Sequence, residues 1–403
     1  MEHGAQASSG AKSSVVLRPS SGAESRQTRV LQVLPALHFG GVERGTIDIV
    51  QALAEAGWEP WVASSGGALV NDVRRAGGRH FAMPLAKKNP ISIGLNIGRL
   101  ARLIESQDID IVHARSRAPA WSAMYAARQT GRRFVTTYHG TYNARSHLKV
   151  RYNSVMARGD TVIAISQFIA QHVRETHGTD NRRLRVVPRG IDLAYFDPRN
   201  VHADRMVALA RKWRLPDDRK IIVLPARLSR WKGHEVLVEA LGQLARDDLC
   251  CLLIGEDRGR RRYTDALIAA IRKRGLEGVV RLVGHCVDMP AAYMLADVVV
   301  SPATDPEAFG RVAVEAQAMG RPTLASSHGA TGETIIDGET GWLIPPGDAQ
   351  VLAEALRHTL ALDGDQRAVL AERARAHVSQ HFSKQRMCDK TLDVYRELLA
   401  VGQ

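Results

Sequence analysis

Cysteine, aromatic residues and long apolar runs are the scarce features of this sequence. Four cysteines occur in 403 residues, Cys250, Cys251, Cys286 and Cys388, and none has a C-x-x-C or Cys/His ligand spacing. That argues against a disulfide scaffold or a structural zinc site and fits reduced thiols in a cytoplasmic protein. Phe, Trp and Tyr together make up 5% of the chain, too few to interleave with cations as a single-stranded nucleic-acid surface requires. No zinc or RNA-recognition motif appears either, so nucleic acid is not an expected partner. No stretch reaches the ~18 apolar residues of a membrane-spanning helix. G-x-G-x-x-G is missing, which removes the usual dinucleotide fingerprint. The first 27 residues are rich in Ser, Gly and Ala and lack the apolar block of a signal peptide, so residues 1–27 read as a disordered leader.

What is present is an uneven charge. Residues 1–190 carry 26 Lys and Arg against 13 Asp and Glu, whereas residues 191–403 carry 29 of each, so the whole net charge of +13 lies in the first half. An excess confined to one half points to an anionic partner.

Apolar runs alternate with amphipathic segments twice over. In the first half, "RVLQVLP", "PWVAS", "DIDIVHA", "RRFVTTYHG" and "TVIAIS" read as strands, with helices over Val42–Ala56, Ile91–Ser106 and Ala118–Thr130. In the second, "KIIVLPA", "LCCLLIG", "VVRLVG", "DVVVSPA" and "RPTLASS" alternate with helices near Gly233–Arg246, Tyr263–Arg274 and Arg311–Met319. Near-continuous apolar strands separated by helices predict two parallel, doubly wound α/β sheets in series. The expected organisation is a first domain over 28–195, a second over 196–382, and a final helix in 383–403 that returns to the first domain. The join falls at "VPRGIDLAYFDPRN", where Pro188, Gly190 and Pro198 interrupt regular structure.

Ligands of such sheets bind at the carboxyl ends of strands. There the sequence places Gly40 and Gly41 before a helix, a turn that lets amides approach an anion. His139 ends a strand before Gly140, where it can hydrogen-bond a sugar or phosphate or serve a structural role. Arg227 and Lys232, five apart after another strand, suit a diphosphate or form a solvated basic loop. Glu307 and Glu315 stand eight apart in "DPEAFGRVAVEA". Pro306 keeps the first in a loop, so a helix begins near Gly310 and the acids do not share one helix face. Glu315 then suits ribose hydroxyls, Glu307 a second hydroxyl-bearing group, and the helix N-terminus a phosphate between them.

These pieces resemble the family 4 retaining glycosyltransferases, which have the GT-B fold. The matching segments are "FGGVERG", "HGT", "RLSRWKGHEVLVEAL", "RLVGHCVDMPAAYMLADVVVSPATDPEAFGRVAVEAQAMGRP" and "GETGWLIPPGD", from about residue 30 to 382. The resemblance implies a nucleotide-diphosphate sugar donor, UDP- or GDP-linked, and no metal or other cofactor. No D-x-D stands at a metal position. It assigns Gly40 and Gly41 to the donor diphosphate, Arg227 and Lys232 to its neutralisation, Glu307 to the transferred sugar and Glu315 to the ribose. Gly310, Arg311 and Val312 offer amides to the phosphates, Val287 lies by the base, and His139 lies by the reacting sugar. Two departures are Arg189, where Asn is common, and Glu256–Asp257, where a G-x-G turn is usual. Glu333 matches a frequent family glutamate without a catalytic role. Alanine at Glu315 or Lys232 is expected to cut transfer with the fold intact.

The acceptor is expected to be a glycan or lipid-linked hydroxyl, as in lipopolysaccharide or polysaccharide assembly. The basic half would hold the enzyme on the anionic inner face of the cytoplasmic membrane. Candidate cations are Arg74, Arg75, Lys87, Lys88, Arg115, Arg117, Arg132, Arg133, Arg145, Lys149 and Arg151. The alternatives are a soluble acceptor and a sugar-nucleotide epimerase of the same fold.

Overall fold

The computed structural model describes residues 1, 26–38, 40–142 and 146–400. The leader expected over 1–27 therefore lies almost wholly outside the described residues, as does Arg145.

The first sheet has seven parallel strands: β1 (Arg29–Val33), β2 (Glu59–Ser64), β3 (Arg79–Ala82), β4 (Ile111–Ala114), β5 (Arg133–Tyr138), β6 (Thr161–Ala164) and β7 (Leu184–Val186). Their order is β3-β2-β1-β4-β5-β6-β7. The second sheet has six: β8 (Lys220–Pro225), β9 (Leu249–Ile254), β10 (Val280–Gly284), β11 (Val298–Ser301), β12 (Thr323–Ser326) and β13 (Trp342–Ile344). They run β10-β9-β8-β11-β12-β13, again all parallel. Both orders reverse beside the first strand of the sheet, the arrangement that opens a crevice at the carboxyl ends. The two sheets and their covering helices make a GT-B architecture.

Central strands are buried on both faces because helices cover both. β9 is buried throughout, with Cys250 and Cys251 inside it, and the other two cysteines are also buried free thiols. The structure adds β3, β7 and β13 to the ten strands expected from sequence.

The helix Lys384–Ala400 lies on the first sheet, with Leu392, Val394, Tyr395 and Leu398 packed among Val30, Ile49, Leu53, Ile111 and Val135. Its fit is fixed by a buried polar chain: the Tyr395 hydroxyl lies 2.6 Å from His113 Nδ1, and His113 Nε2 lies 2.7 Å from Thr137 Oγ1. The chain crosses between domains twice, and the crossings are joined. Ile191 N donates to the Phe382 carbonyl at 2.9 Å, and Lys384 N donates to the Ile191 carbonyl at 2.8 Å.

A further link lies away from the crossings. The Glu333 carboxylate, in the second domain, accepts the Gln167 and Phe168 backbone amides at 2.8 and 2.7 Å. Those amides open the first-domain helix Gln167–His177, and an acid there also meets the positive end of the helix dipole. Ser166, the N-cap of that helix, donates its hydroxyl to the Ala308 carbonyl at 2.9 Å.

Candidate functional site

A cleft of about 960 Å³ lies between the domains. From the first domain come Gly41 after β1, Arg115 after β4, His139 after β5 and Arg189 after β7. From the second come Glu256 and Arg258 after β9, Val287 after β10 and Arg311 after β11. Every one follows the carboxyl end of a strand, so the two sheets deliver their loops into one space.

Gly40 caps the helix Gly41–Glu55. A Cβ on Gly41 would stand 2.6 Å from Arg189 Nη1 and 3.5 Å from Arg311 Nη1, so this glycine leaves room for guanidinium groups from both domains.

On the second-domain side, Gly310 adopts φ 79°, the left-handed region that favours glycine, and starts the helix Arg311–Ala318 as expected. Val312 follows in its first turn. Glu315 is 8% exposed, beside the fully buried Tyr293. The Tyr293 hydroxyl donates to Glu315 Oε2 at 2.8 Å and Arg311 Nε donates to Oε1 at 2.6 Å. Each carboxylate oxygen keeps a second lone pair for a ligand, but the acid is already part of the packing.

Arg227, Lys232 and Glu307 form a separate group that does not line the main cavity. The Lys232 ammonium pairs with Glu307 Oε1 and sits 4.0 Å from the centre of the Trp231 ring. Arg227 is exposed at the rim; burial, then Arg260 and Arg258, push its guanidinium down, and Glu307 opposes them. Arg258 also lines the cavity, so the two groups adjoin. Val287 is exposed, and its carbonyl accepts the Tyr195 hydroxyl at 3.1 Å.

His139 meets Arg189 Nη2 through Nδ1 at 3.1 Å. A guanidinium only donates, so Nδ1 is the acceptor and the proton is on Nε2. That Nε2 is buried without a partner among the described residues. Burial foremost, then Arg189, Arg115 and His113, hold the ring well below the usual histidine range, so it is a neutral donor at neutral pH. Burial, with Arg115 and Arg311, pushes Arg189 down to about 10, still charged.

The cleft holds groups not singled out from sequence: Arg44, Gly45, Asp48 and Lys384. A signal was available, since Gly41, Gly45 and Asp48 recur at helical spacing. Arg115 corrects an expectation. It is 5% exposed inside the cleft rather than on a membrane-facing surface, because the strand end that carries it points under the helix Gly41–Glu55. Arg132 pairs with Asp108, Arg75 with Asp72, and Arg117 lies over Tyr142 and donates to Asn153, so these cations are engaged within the chain as well.

The loop bearing Lys232 is held by its neighbour Gly233, where φ is 73° and a Cβ would lie 1.7 Å from the Pro302 carbonyl oxygen. His234 follows, fully buried, its imidazole pushed down to about 4 chiefly by burial. Below about pH 6.5 the unfolded chain binds a proton there that the folded chain refuses. Stability present above about pH 6.5 should therefore be lost as pH falls from there to about 4, by a total of about 3 kcal/mol. A Tm series across that window should be shallower for His234→Gln, and equal slopes would contradict the assignment.

Residues 39–195 match the family model described as Glycosyltransferase Family 4, and residues 208–377 match Glycosyl transferases group 1. The fold is similar to a glycosyltransferase from Rickettsia africae ESF-5, at 37% identity and TM-score 0.85 over 93% of this chain and 99% of that one. HepE (Alr3699) of Anabaena, solved with UDP and glucose, shares the fold at TM-score 0.80 and 24% identity over 92% of this chain and 100% of its own. A D-inositol 3-phosphate glycosyltransferase of Xylanimonas cellulosilytica is 34% identical over 247 residues, which are 60% of this chain and 58% of that relative. The match thus spans less than two thirds of that relative's length.

Proposed function

The chain belongs to the family 4 glycosyltransferases and has the GT-B fold, and on that basis we propose that it moves a sugar from a UDP- or GDP-linked donor to a hydroxyl of a glycan or lipid-linked acceptor, with retention and without a metal. The observation that carries this is the facing of Gly41, His139 and Arg189 against Arg311 across one cleft, with Glu315 behind Arg311 as its hydrogen-bond partner. In this reading the ribose reaches Glu315, and the diphosphate takes the amides of Gly310, Arg311 and Val312 with the charges of Arg227 and Lys232. Glu307 holds the transferred sugar, with His139 donating to it. The new bond from the acceptor oxygen forms on the face from which the diphosphate leaves. The C1–O bond to phosphate breaks, and the acceptor proton passes to the departing phosphate oxygen. The protein's part is positioning and charge stabilisation.

Membrane attachment is supported by a surface that is both basic and apolar. Ile91, Leu95 and Leu148 are exposed, with Lys87, Lys88, Lys149 and Arg151 close to them in sequence. Two hydrogen bonds bring the segments together on the helix Arg117–Gln129: Ser122 Oγ donates to the Ile93 carbonyl and Trp121 Nε1 to the Tyr152 carbonyl. No helix among the described residues is long and apolar enough to cross a membrane, so attachment would be peripheral, to the inner face. A soluble phosphorylated acceptor is the second reading, favoured by what the Xylanimonas relative is named for.

The test is transfer from labelled UDP- and GDP-sugars, with EDTA present, to vesicles carrying a lipid-linked oligosaccharide and to the same oligosaccharide in solution. The expected outcome is label in the lipid fraction with the donor's anomeric configuration. Release of isomerised donor without transfer would instead establish an epimerase.

A further inference from the structure

Arg115 is nearly sealed from solvent, yet its Nε has no hydrogen-bond partner and no acid pairs with it among the described residues. Asp48, on the helix Gly41–Glu55, offsets part of its charge from a distance. An uncompensated buried guanidinium is costly unless something arrives to satisfy it.

The surroundings show where that would happen. Gly41 and Gly45 are one helical turn apart, so they share a face bare of side chains. A Cβ on Gly45 would lie 3.2 Å from Arg115 Nη2, just as one on Gly41 would crowd Arg189 and touch Arg311. Three guanidiniums thus line one path: Arg311 at the second-domain wall, Arg189 beside it, and Arg115 about 6 Å further along the helix. Arg189 is close enough to feel the charge of both the others. The proposed donor diphosphate needs the outer end of this path, at Gly41 and Arg311. The inner end, at Gly45 and Arg115, is left for the other substrate.

We infer that Arg115, with Arg189, binds a phosphate group carried by the acceptor, seated against the bare helix face at Gly45. This rests on the transferase reading above. A guanidinium fork suits phosphate oxygens through paired N–H donors, and the absence of side chains at Gly45 gives such an anion its approach. The phosphate could come from a soluble sugar or polyol phosphate or from a lipid headgroup, and the chemistry recognised is the same.

The test is thermal unfolding of the full chain, first with saturating UDP or GDP, then with inorganic phosphate added. The expected result is a second rise in Tm on top of the nucleotide rise. In Arg115→Gln the second rise should vanish and the first remain. Should Arg115→Gln not fold, Gly45→Leu, which fills the bare face, should give the same pattern. Repeating with glucose 6-phosphate, and with phosphatidylcholine vesicles with or without phosphatidate, identifies the source by whichever gives Arg115-dependent protection. With a phosphorylated acceptor, Arg115→Gln should raise the acceptor KM by about 10- to 100-fold, as loss of a charged hydrogen bond does, with the donor KM unchanged. No second rise, or one of equal size in Arg115→Gln, would overturn the inference and leave the transferase reading standing. Absence of the nucleotide rise itself would count against both.

Discussion

Lys232→Ala should lower kcat/KM for sugar transfer by about 10²- to 10³-fold, the scale of losing one donor aimed at developing charge. The ammonium is held against Glu307, whose charge Arg227 also feels, where a leaving diphosphate is expected to gather charge. Because the pair is mutually satisfied before substrate arrives, removing Lys232 also leaves Glu307 partly buried without its ion-pair partner. Glu307→Ala and the double variant complete a thermodynamic cycle, and the double loss should be well short of the sum if the two act together. Near-wild-type turnover by Lys232→Ala would remove this residue from the mechanism.

Glu315→Ala should both unfold more easily and bind nucleoside diphosphate more weakly. Read from sequence, Glu315 was a ligand group on an intact fold. In the structure it is also an internal anchor, accepting from Tyr293 and Arg311. Truncation strands a fully buried phenol, at a cost of about 1–3 kcal/mol, in addition to about 2–5 kcal/mol of lost charged contact to ligand. Urea melts and nucleotide titrations separate the two. Tyr293→Phe serves as the control, since it should touch stability while sparing nucleotide affinity. Undiminished nucleotide binding by Glu315→Ala would disprove the ribose role.

Of the thirteen strands among the described residues ten were legible, nine because central parallel strands are buried on both faces and read as apolar runs, and the edge strand β10 through its own apolar run "VVRLVG". The three that were not are short edge strands. β3, "RHFA", is largely exposed, and β7 and β13 are three residues each, so no periodicity could develop. The Glu307–Glu315 spacing and the Gly310 turn could be read because Pro306 and Gly310 constrain the backbone locally. Tertiary partners could not be read. Nothing around position 115 announces that Arg115 folds inward, and nothing near Tyr293 announces a bond to Glu315 twenty-two residues on. Net charge misled in one respect, since a count of Lys and Arg does not say which of them are buried, as Arg115 is.

The Glu333 cap on the helix Gln167–His177 has a kinetic consequence. Neither domain alone satisfies those two amides with that carboxylate, so the contact exists only while the domains are together. On separation, water must take over three charged or dipolar groups. That exchange is nearly neutral at equilibrium, but it adds to the barrier because the old bonds break before hydration is complete. Any opening of the cleft must therefore break these two bonds, although Glu333 is not among the residues that line it.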